Sequence, residues 1–312
     1  MYVYFGSDDF SLEMLKGLCE ISPPCAIVTQ PDRPAGRKQQ LKPGPLAVFA
    51  KEQNIPLYQP EKLKTAEQQD PILTLGASLF IVVSFGQILP QSFLDRSPTI
   101  INGHASLLPK FRGASPIQSV ILNGEKESGM TIMHIVKALD AGPMISQKSF
   151  VLNSSETHES LSNKLIRDGI EMTTPYISGQ AVPAGDEQDH SAATHCGKLI
   201  KKDTFLDPCS RTAEGLDRII RAFSPSPGAF LRIQTPKGDK QFKLILTEFT
   251  DVDCPAGTFK LHTNELEKNE LLLGCAGSTS LLVKMVQLEG KPAMPTTQFL
   301  NGFRGELQLA QT

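Results

Sequence analysis

Short apolar runs alternate with helix-compatible stretches through the first half of the chain, and that alternation narrows the fold more than any other feature. The runs Tyr2–Phe5, Ala26–Val28, Leu79–Val83 and Ile100–Ile101 have the length and composition of buried strands. Between them, Ser11–Glu20 carries Leu12, Leu15 and Leu18 at helical spacing, and Leu46–Gln53 and Ile117–Leu122 also read as helix. Strand and helix in alternation predict an α/β unit with a Rossmann-like, mainly parallel, doubly wound sheet. The pattern turns β-like again over Gly129–Ile135 and Met144–Val151, which extends the sheet, and Ser160–Tyr176 returns to helical periodicity.

A chain of 312 residues exceeds the comfortable size of one hydrophobic core, so a second domain is expected. From about Pro183 to Asp203 the sequence is mostly polar and aperiodic, the composition of a linker. Beyond it, a helix-like Ala213–Phe223 ends in Ser224-Pro225-Ser226-Pro227-Gly228. Short alternating runs follow at Phe230–Ile233, Phe242–Glu248, Gly257–His262, Leu271–Cys275 and Leu281–Leu288. Five short strands separated by turns predict a smaller OB-like β-barrel. The expected division is residues 1–186 for the α/β domain, 187–204 for the linker and 205–312 for the barrel.

Bulk properties exclude several classes of function. A net charge of −2 and a pI near 6.3 give no global attraction to nucleic acid, so RNA contact would have to come from local basic patches. Six scattered cysteines at no paired short spacing disfavour a zinc cluster or a disulfide framework, and the histidines add no ligand-spaced group, so no metal is expected. No stretch approaches the ~18 apolar residues of a membrane span, and Met1–Phe5 lacks a basic flank or cleavage site. A cytoplasmic protein, monomeric by default, is expected.

The densest chemical signal runs from Ile101 to Ile117. In an extended segment Asn102 and His104 point the same way, with only Gly103 between them, and the segment would sit at the carboxyl end of a strand, where open α/β sheets bind ligands. Asp140, in the turn Leu139-Asp140-Ala141-Gly142-Pro143 after a predicted strand, is the best acid or base partner. Ser106 is not on a Gly-x-Ser-x-Gly elbow, and Phe5–Phe10 lacks Gly-x-Gly-x-x-Gly, which argues against a serine hydrolase and against a dinucleotide cofactor. Asn, His and Asp without an activated nucleophile suit direct acyl-type transfer.

The string Asn102-Gly103-His104-Ala105-Ser106-Leu107-Leu108-Pro109, followed by Arg112-Gly113-Ala114, closely resembles the signature of the folate-dependent formyltransferases, and Leu139-Asp140 resembles that family's second signature. Phe5–Phe10, Thr29–Arg37, Phe85–Pro90, Arg221–Gly228 and Phe299–Arg304 extend the resemblance over nearly the whole chain, to the branch whose acceptor is methionyl-initiator tRNA. The chain departs from the pattern at Ala141, where Thr is usual, at Pro143, where Asp is frequent, and at Ser226, where Trp is commoner.

The resemblance implies transfer of a formyl group from 10-formyltetrahydrofolate to the amine of the charged tRNA, with Asn102, His104 and Asp140 as catalytic residues. Asn102 and a protonated His104 would donate hydrogen bonds to the formyl oxygen as charge grows there, and Asp140 would hold the imidazole. Either His104 or Asp140 could be the formal base. Ser106, Leu107, Leu108 and Pro109, with Phe85, Gly86, Gln87, Ile88 and Leu89, would bind the reduced folate. Gln30–Lys51 holds Arg33, Arg37, Lys38, Lys42 and Lys51 against the single acid Asp32, and its prolines and glycines predict an exposed loop, at least in its first half. By resemblance that loop reaches the tRNA through Arg37 first, with Lys38, Lys42 and Arg33 in support. Two other outcomes stay open: formylation of another amine, such as glycinamide ribonucleotide or an amino-sugar nucleotide, and a folate- or RNA-binding module without catalysis.

Overall fold

Val3, Tyr4 and Phe5 lose all solvent exposure on folding, as expected for a strand flanked on both sides and covered on both faces. The computed structural model describes residues 1–35, 40–236, 238–263, 269–303 and 307–310. In chain order it begins with β1 (Tyr2–Phe5), α1 (Asp9–Cys19), β2 (Ala26–Val28), β3 (Arg33–Ala35), β4 (Gln40–Lys42), α2 (Pro45–Glu52), β5 (Leu57–Tyr58) and α3 (Ala66–Leu73). Then come β6 (Leu79–Val82), α4 (Gln91–Leu94), β7 (Thr99–His104), β8 (Arg112–Gly113), α5 (Pro116–Leu122), β9 (Glu127–His134), β10 (Met144–Val151) and α6 (His158–Ile177). The rest comprises β11 (His195–Cys196), α7 (Ala213–Ala222), β12 (Ala229–Ile233), β13 (Lys240–Thr250), β14 (Phe259–Thr263), β15 (Asn269–Cys275), β16 (Thr279–Leu288), β17 (Met294–Pro295) and α8 (Thr296–Gly302).

Two compact units result. The first comprises residues 1–116, 127–151 and 162–198; the second comprises 117–126, 152–161 and 199–312. The first is built on a seven-stranded sheet in the order β10-β9-β7-β6-β1-β2-β5. From β5 to β7 every pair is parallel, with Tyr4 beside both Ile27 and Ile81 and Val82 beside Asn102. The β7–β9 and β9–β10 pairs are antiparallel. Because β2 lies on one side of β1 and β6 on the other, the strand order reverses at β1, and the crevice beyond the carboxyl ends of β1 and β6 is the place where such sheets take ligands. Phe5 fixes the core there, its ring 5.3 to 6.1 Å from those of Phe80, Phe85 and Phe93. α1 leaves the end of β1 through a capping box, in which Asp8 accepts from the Ser11 amide and the Ser11 hydroxyl accepts from the Asp8 amide.

Two stretches differ from expectation. Arg33–Ala35 and Gln40–Lys42, expected to lie in an irregular loop, form an antiparallel ribbon with Pro34 opposite Leu41. In a two-stranded ribbon both strands are edges, so a proline costs no ladder hydrogen bond when its nitrogen faces outward. The polar stretch 187–204 is also more ordered than its composition suggested: β11 pairs in parallel with β8, and 190–192 and 201–204 form 3-10 turns. Its polar groups are matched to the backbone around β8, with the Arg112 amide donating to the Thr194 carbonyl and the Ala114 amide to the Cys196 carbonyl.

All five strands expected in the second half form. They make an antiparallel ladder in the order β12-β13-β16-β15-β14, with β17 added on β16. Alternation along β13 buries Phe242 and Leu244, and the Phe242 ring lies 6.1 Å from Phe259 and 5.0 Å from Phe299 of α8. α7 buries Leu216, Ile219 and Ile220 and also Asp217, whose carboxylate accepts from Arg221 at 2.6 Å and from Thr247 at 2.9 Å. Among the described residues the ladder is open: no pairing joins β12 to β14. No helix among them is long and apolar enough to cross a membrane.

Candidate active site

The alternation of β7 sets the site. A Cβ on Gly103 would press on Met130, Val83 and Met14, so that residue faces the core and its neighbours Asn102 and His104 face the opposite side. Asn102 is 9% exposed, and its side-chain amide makes no hydrogen bond with any described residue. His104 is also buried, and its Nε2 lies 2.9 Å from the Phe111 carbonyl oxygen. A carbonyl only accepts, so Nε2 carries the proton and Nδ1 is the ring atom left for exchange. Nδ1 faces Asp140 Oδ2 at 3.7 Å, and that same oxygen accepts from the Gly113 amide at 2.8 Å. The three residues singled out in the sequence thus include an adjacent His–Asp pair held beside Asn102.

Two residues of this arrangement sit in the left-handed backbone region, Phe111 at φ 58° and Asp140 at φ 51°. Such conformations cost about 1–3 kcal/mol each and persist where the surroundings over-determine them. The Phe111 amide donates to Thr194 Oγ1 at 2.8 Å while its carbonyl takes the His104 ring, so this peptide is held from both sides.

The Ser106–Pro109 turn is pinned from β9 and β10. Thr131 Oγ1 donates to the Ser106 carbonyl at 2.6 Å and accepts from the Leu108 amide at 3.3 Å, and Gln147 donates to the Leu108 carbonyl at 2.9 Å. Leu108–Pro109 is cis. The Ser106 hydroxyl donates to the Lys110 carbonyl at 2.7 Å, which occupies it structurally. After β6, Phe85 and Leu89 turn their side chains into the core, so Gly86, Gln87 and Ile88 form the outer face of their loop, with Ile88 79% exposed. Gln87 donates to the Pro60 carbonyl at 2.9 Å, and Ser7 ties the β1 and β6 loops by donating to the Phe85 carbonyl at 2.8 Å.

Of the four cations expected at the tRNA, Arg37 and Lys38 lie outside the described residues. Arg33 and Lys42 stand directly opposite each other on β3 and β4, both exposed, and Arg33 pairs with Glu61 at 3.1 Å. No group of three or more His, Cys, Asp or Glu among the described residues could hold a metal ion.

Sequence reasoning missed Thr131, Gln147, Gln188 and Thr194, which act on the site from strands or segments distant along the chain. It also missed the amide of Gly113 as the donor to Asp140. Gly113 has φ 122°, and a Cβ there would collide with the Cys196 carbonyl oxygen. Replacing Gly113 with Ala is expected to slow turnover at least tenfold and to lower Tm by several degrees, because β8 must move off β11 and take the Asp140 donor with it. Thermal melting and single-turnover rates check this; an unchanged rate would mean that Asp140 needs no fixed donor.

The chain matches the family described as Formyl transferase over residues 20–174 and that described as Formyl transferase, C-terminal domain, over residues 198–304. It is 38% identical over 306 residues to the methionyl-tRNA formyltransferase of Streptococcus gordonii, covering 96% of this chain and 94% of that protein. To the methionyl-tRNA formyltransferase of Geobacter sulfurreducens it is 36% identical over 310 residues, covering 97% and 94%. Among solved structures, an N-formyltransferase from Helicobacter canadensis, in complex with folinic acid and dTDP-3-aminofucose, shares the fold with a TM-score of 0.61 at 17% identity, over 90% of this chain and 98% of that one. HypX from Aquifex aeolicus in complex with tetrahydrofolic acid shares it with a TM-score of 0.62 at 11% identity, and this chain, matched over 100% of its length, spans 50% of that one. With both halves matched and full-length relatives above 30% identity, the chain belongs to the formyl transferase family, in its methionyl-tRNA formyltransferase branch.

Proposed function

We propose that the protein transfers the formyl group of 10-formyltetrahydrofolate to the α-amine of methionyl-initiator tRNA, as the names of its full-length relatives suggest. Asn102 carries the assignment: its side-chain amide makes no hydrogen bond with any described residue, which leaves its donor for a ligand, and it stands on the face it shares with His104. An amide, an imidazole and a carboxylate grouped without a free serine nucleophile fit a formyl donor and an attacking amine. Gly86, Gln87 and Ile88, with the Ser106–Pro109 turn, would hold the folate.

The bound folate supplies the formyl carbon, which forms a bond to the amine nitrogen as its bond to the folate nitrogen breaks. Asn102 donates its amide hydrogen to the formyl oxygen as negative charge grows there, a contribution of about 2.7–4 kcal/mol in comparable sites. His104 keeps Nε2 on the Phe111 carbonyl, so its exchange runs through Nδ1: protonated, Nδ1 donates toward the same oxygen; neutral, it accepts a proton. Asp140, with Oδ2 on the Gly113 amide, orients that nitrogen and helps to draw the proton from the amine, directly or through water. The folate nitrogen takes a proton as it departs.

Residues 1–186 carry the reacting groups, with Gln188 and Thr194 of the 187–204 stretch bracing them, and 205–312 grip the tRNA on an OB-like barrel; the protein works as a cytoplasmic monomer. The two matched spans, 20–174 and 198–304, support the division. Purified protein given 10-formyltetrahydrofolate should formylate charged initiator tRNA with a kcat/KM at least a hundredfold above that for glycinamide ribonucleotide or a dTDP-linked amino sugar. Better turnover of either small amine would overturn the acceptor assignment, and no turnover of any would leave a binding module.

A further inference from the structure

Gln188 falls between the two spans matched to the formyl transferase families, in the stretch whose composition reads as a linker, yet it is only 4% exposed. Its amide uses every hydrogen-bonding position. Oε1 accepts from Arg112 Nε at 3.1 Å and Nη2 at 2.7 Å, and Nε2 donates to the Asp140 carbonyl at 2.9 Å and the Gly142 carbonyl at 2.8 Å. The orientation is forced, because a guanidinium only donates and carbonyls only accept; a flipped amide would lose all four bonds.

Arg112 is 6% exposed, and no carboxylate among the described residues lies within ion-pair distance of it. Its Nη2 also lies 3.0 Å from His190 Nδ1, which must accept. The buried cation therefore rests on one amide oxygen and one imidazole nitrogen, and it holds Gln188 by charge-assisted bonds, which are about twice as strong as neutral ones.

The two things that Gln188 joins are the two ends of the bond that aims Asp140. On one side Arg112 precedes Gly113, whose amide donates to Asp140 Oδ2. On the other, the carbonyls of Asp140 and Gly142 bracket Ala141 and fix the turn that puts Asp140 at φ 51°. We propose that Gln188 is a positioning residue for Asp140, bridging Arg112 and the 140–142 turn so that the carboxylate stays on the Gly113 amide and against His104. The inference rests on the catalytic role proposed above for Asp140.

The test is a double-mutant cycle in the full-length protein. Gln188→Met keeps the volume and removes the four hydrogen bonds to Arg112, Asp140 and Gly142, along with the weak 3.8 Å contact of Nε2 with the Met133 sulfur. Its kcat, from single turnovers at saturating folate and tRNA, is expected to fall about tenfold while KM for both changes less than twofold. In an Asp140→Ala background the same substitution should change the rate less than twofold, because the group it positions is gone. Gln188→Glu keeps an acceptor for Arg112 but cannot donate to the two carbonyls; it should fold, with a Tm within a few degrees of wild type, and be as slow as Gln188→Met. If Gln188→Met does not fold, Gln188→Glu decides. Wild-type kcat in whichever variant decides, or an undiminished tenfold loss on top of Asp140→Ala, would overturn the bridge while leaving the formyl-transfer assignment intact. An Asp140→Ala protein as fast as wild type would sink the role of Asp140 itself, and the bridge with it.

Discussion

Asn102→Ala and His104→Ala are each expected to lower the single-turnover rate a hundredfold or more, and the structure separates them by their effect on stability. The Asn102 amide makes no bond with any described residue, so its removal leaves none of them unpaired, and Tm should stay within a few degrees of wild type. His104 donates to the Phe111 carbonyl, an oxygen whose other donor among the described residues is the weaker Cys196 thiol at 3.4 Å. Its loss should cost about 1–3 kcal/mol, the penalty for an under-satisfied buried acceptor, in addition to the rate. Denaturant melts beside rapid-quench rates resolve both quantities. A variant that kept more than half of the wild-type rate would remove that residue from the mechanism.

Much of the first sheet is legible because a strand buried on both faces must be apolar at every position. Tyr2–Phe5, Ala26–Val28 and Leu79–Val82 therefore stand out as runs. β5 has two half-buried residues and gives no such signal, and α3 carries Pro71 in its interior, so its helical pattern is masked. Five of the six strands of the second sheet, all but the two-residue β17, were legible one by one from alternation. Whether such a sheet closes depends on strand tilt and stagger, which no local pattern encodes.

Asn102 and His104 could be placed on one face because period-two alternation is strict in a strand, and Asp140 because a Gly-Pro turn follows it. The parts that aim these residues were not legible. Thr131, Gln147, Gln188 and Thr194 reach the site from segments 16 to 83 residues away from their partners. A single polar residue in a strand or a polar stretch looks the same whether it faces water or a buried carbonyl. Gln188 and Thr194 were hidden for that reason in a composition that reads as linker.

Neutralising the basic ribbon should produce the largest change in tRNA binding. Arg33 and Lys42 are registered directly across β3 and β4, and like charges directly opposite destabilise a strand pair, a cost that the exposed Arg33–Glu61 pair only partly relieves. Between the two strands the sequence adds Arg37 and Lys38, so the ribbon concentrates cations in a chain whose net charge is −2. A stability argument gives no reason for that crowding, whereas a phosphate backbone does. Each phosphate contact releases counterions, so Arg37→Ala alone should flatten the dependence of log affinity on log salt by roughly 0.7–0.9, and Arg37→Ala/Lys38→Ala/Lys42→Ala by roughly 2–3. Near physiological salt the triple variant should bind charged initiator tRNA about a hundredfold more weakly, while folate affinity and the single-turnover rate at saturating tRNA hold within twofold. Filter binding across a salt series measures the slope. A triple variant matching wild type in both slope and affinity would leave the ribbon as a solvated surface feature, whereas weakened binding with an unchanged slope would trace the loss to shape rather than to phosphate contacts.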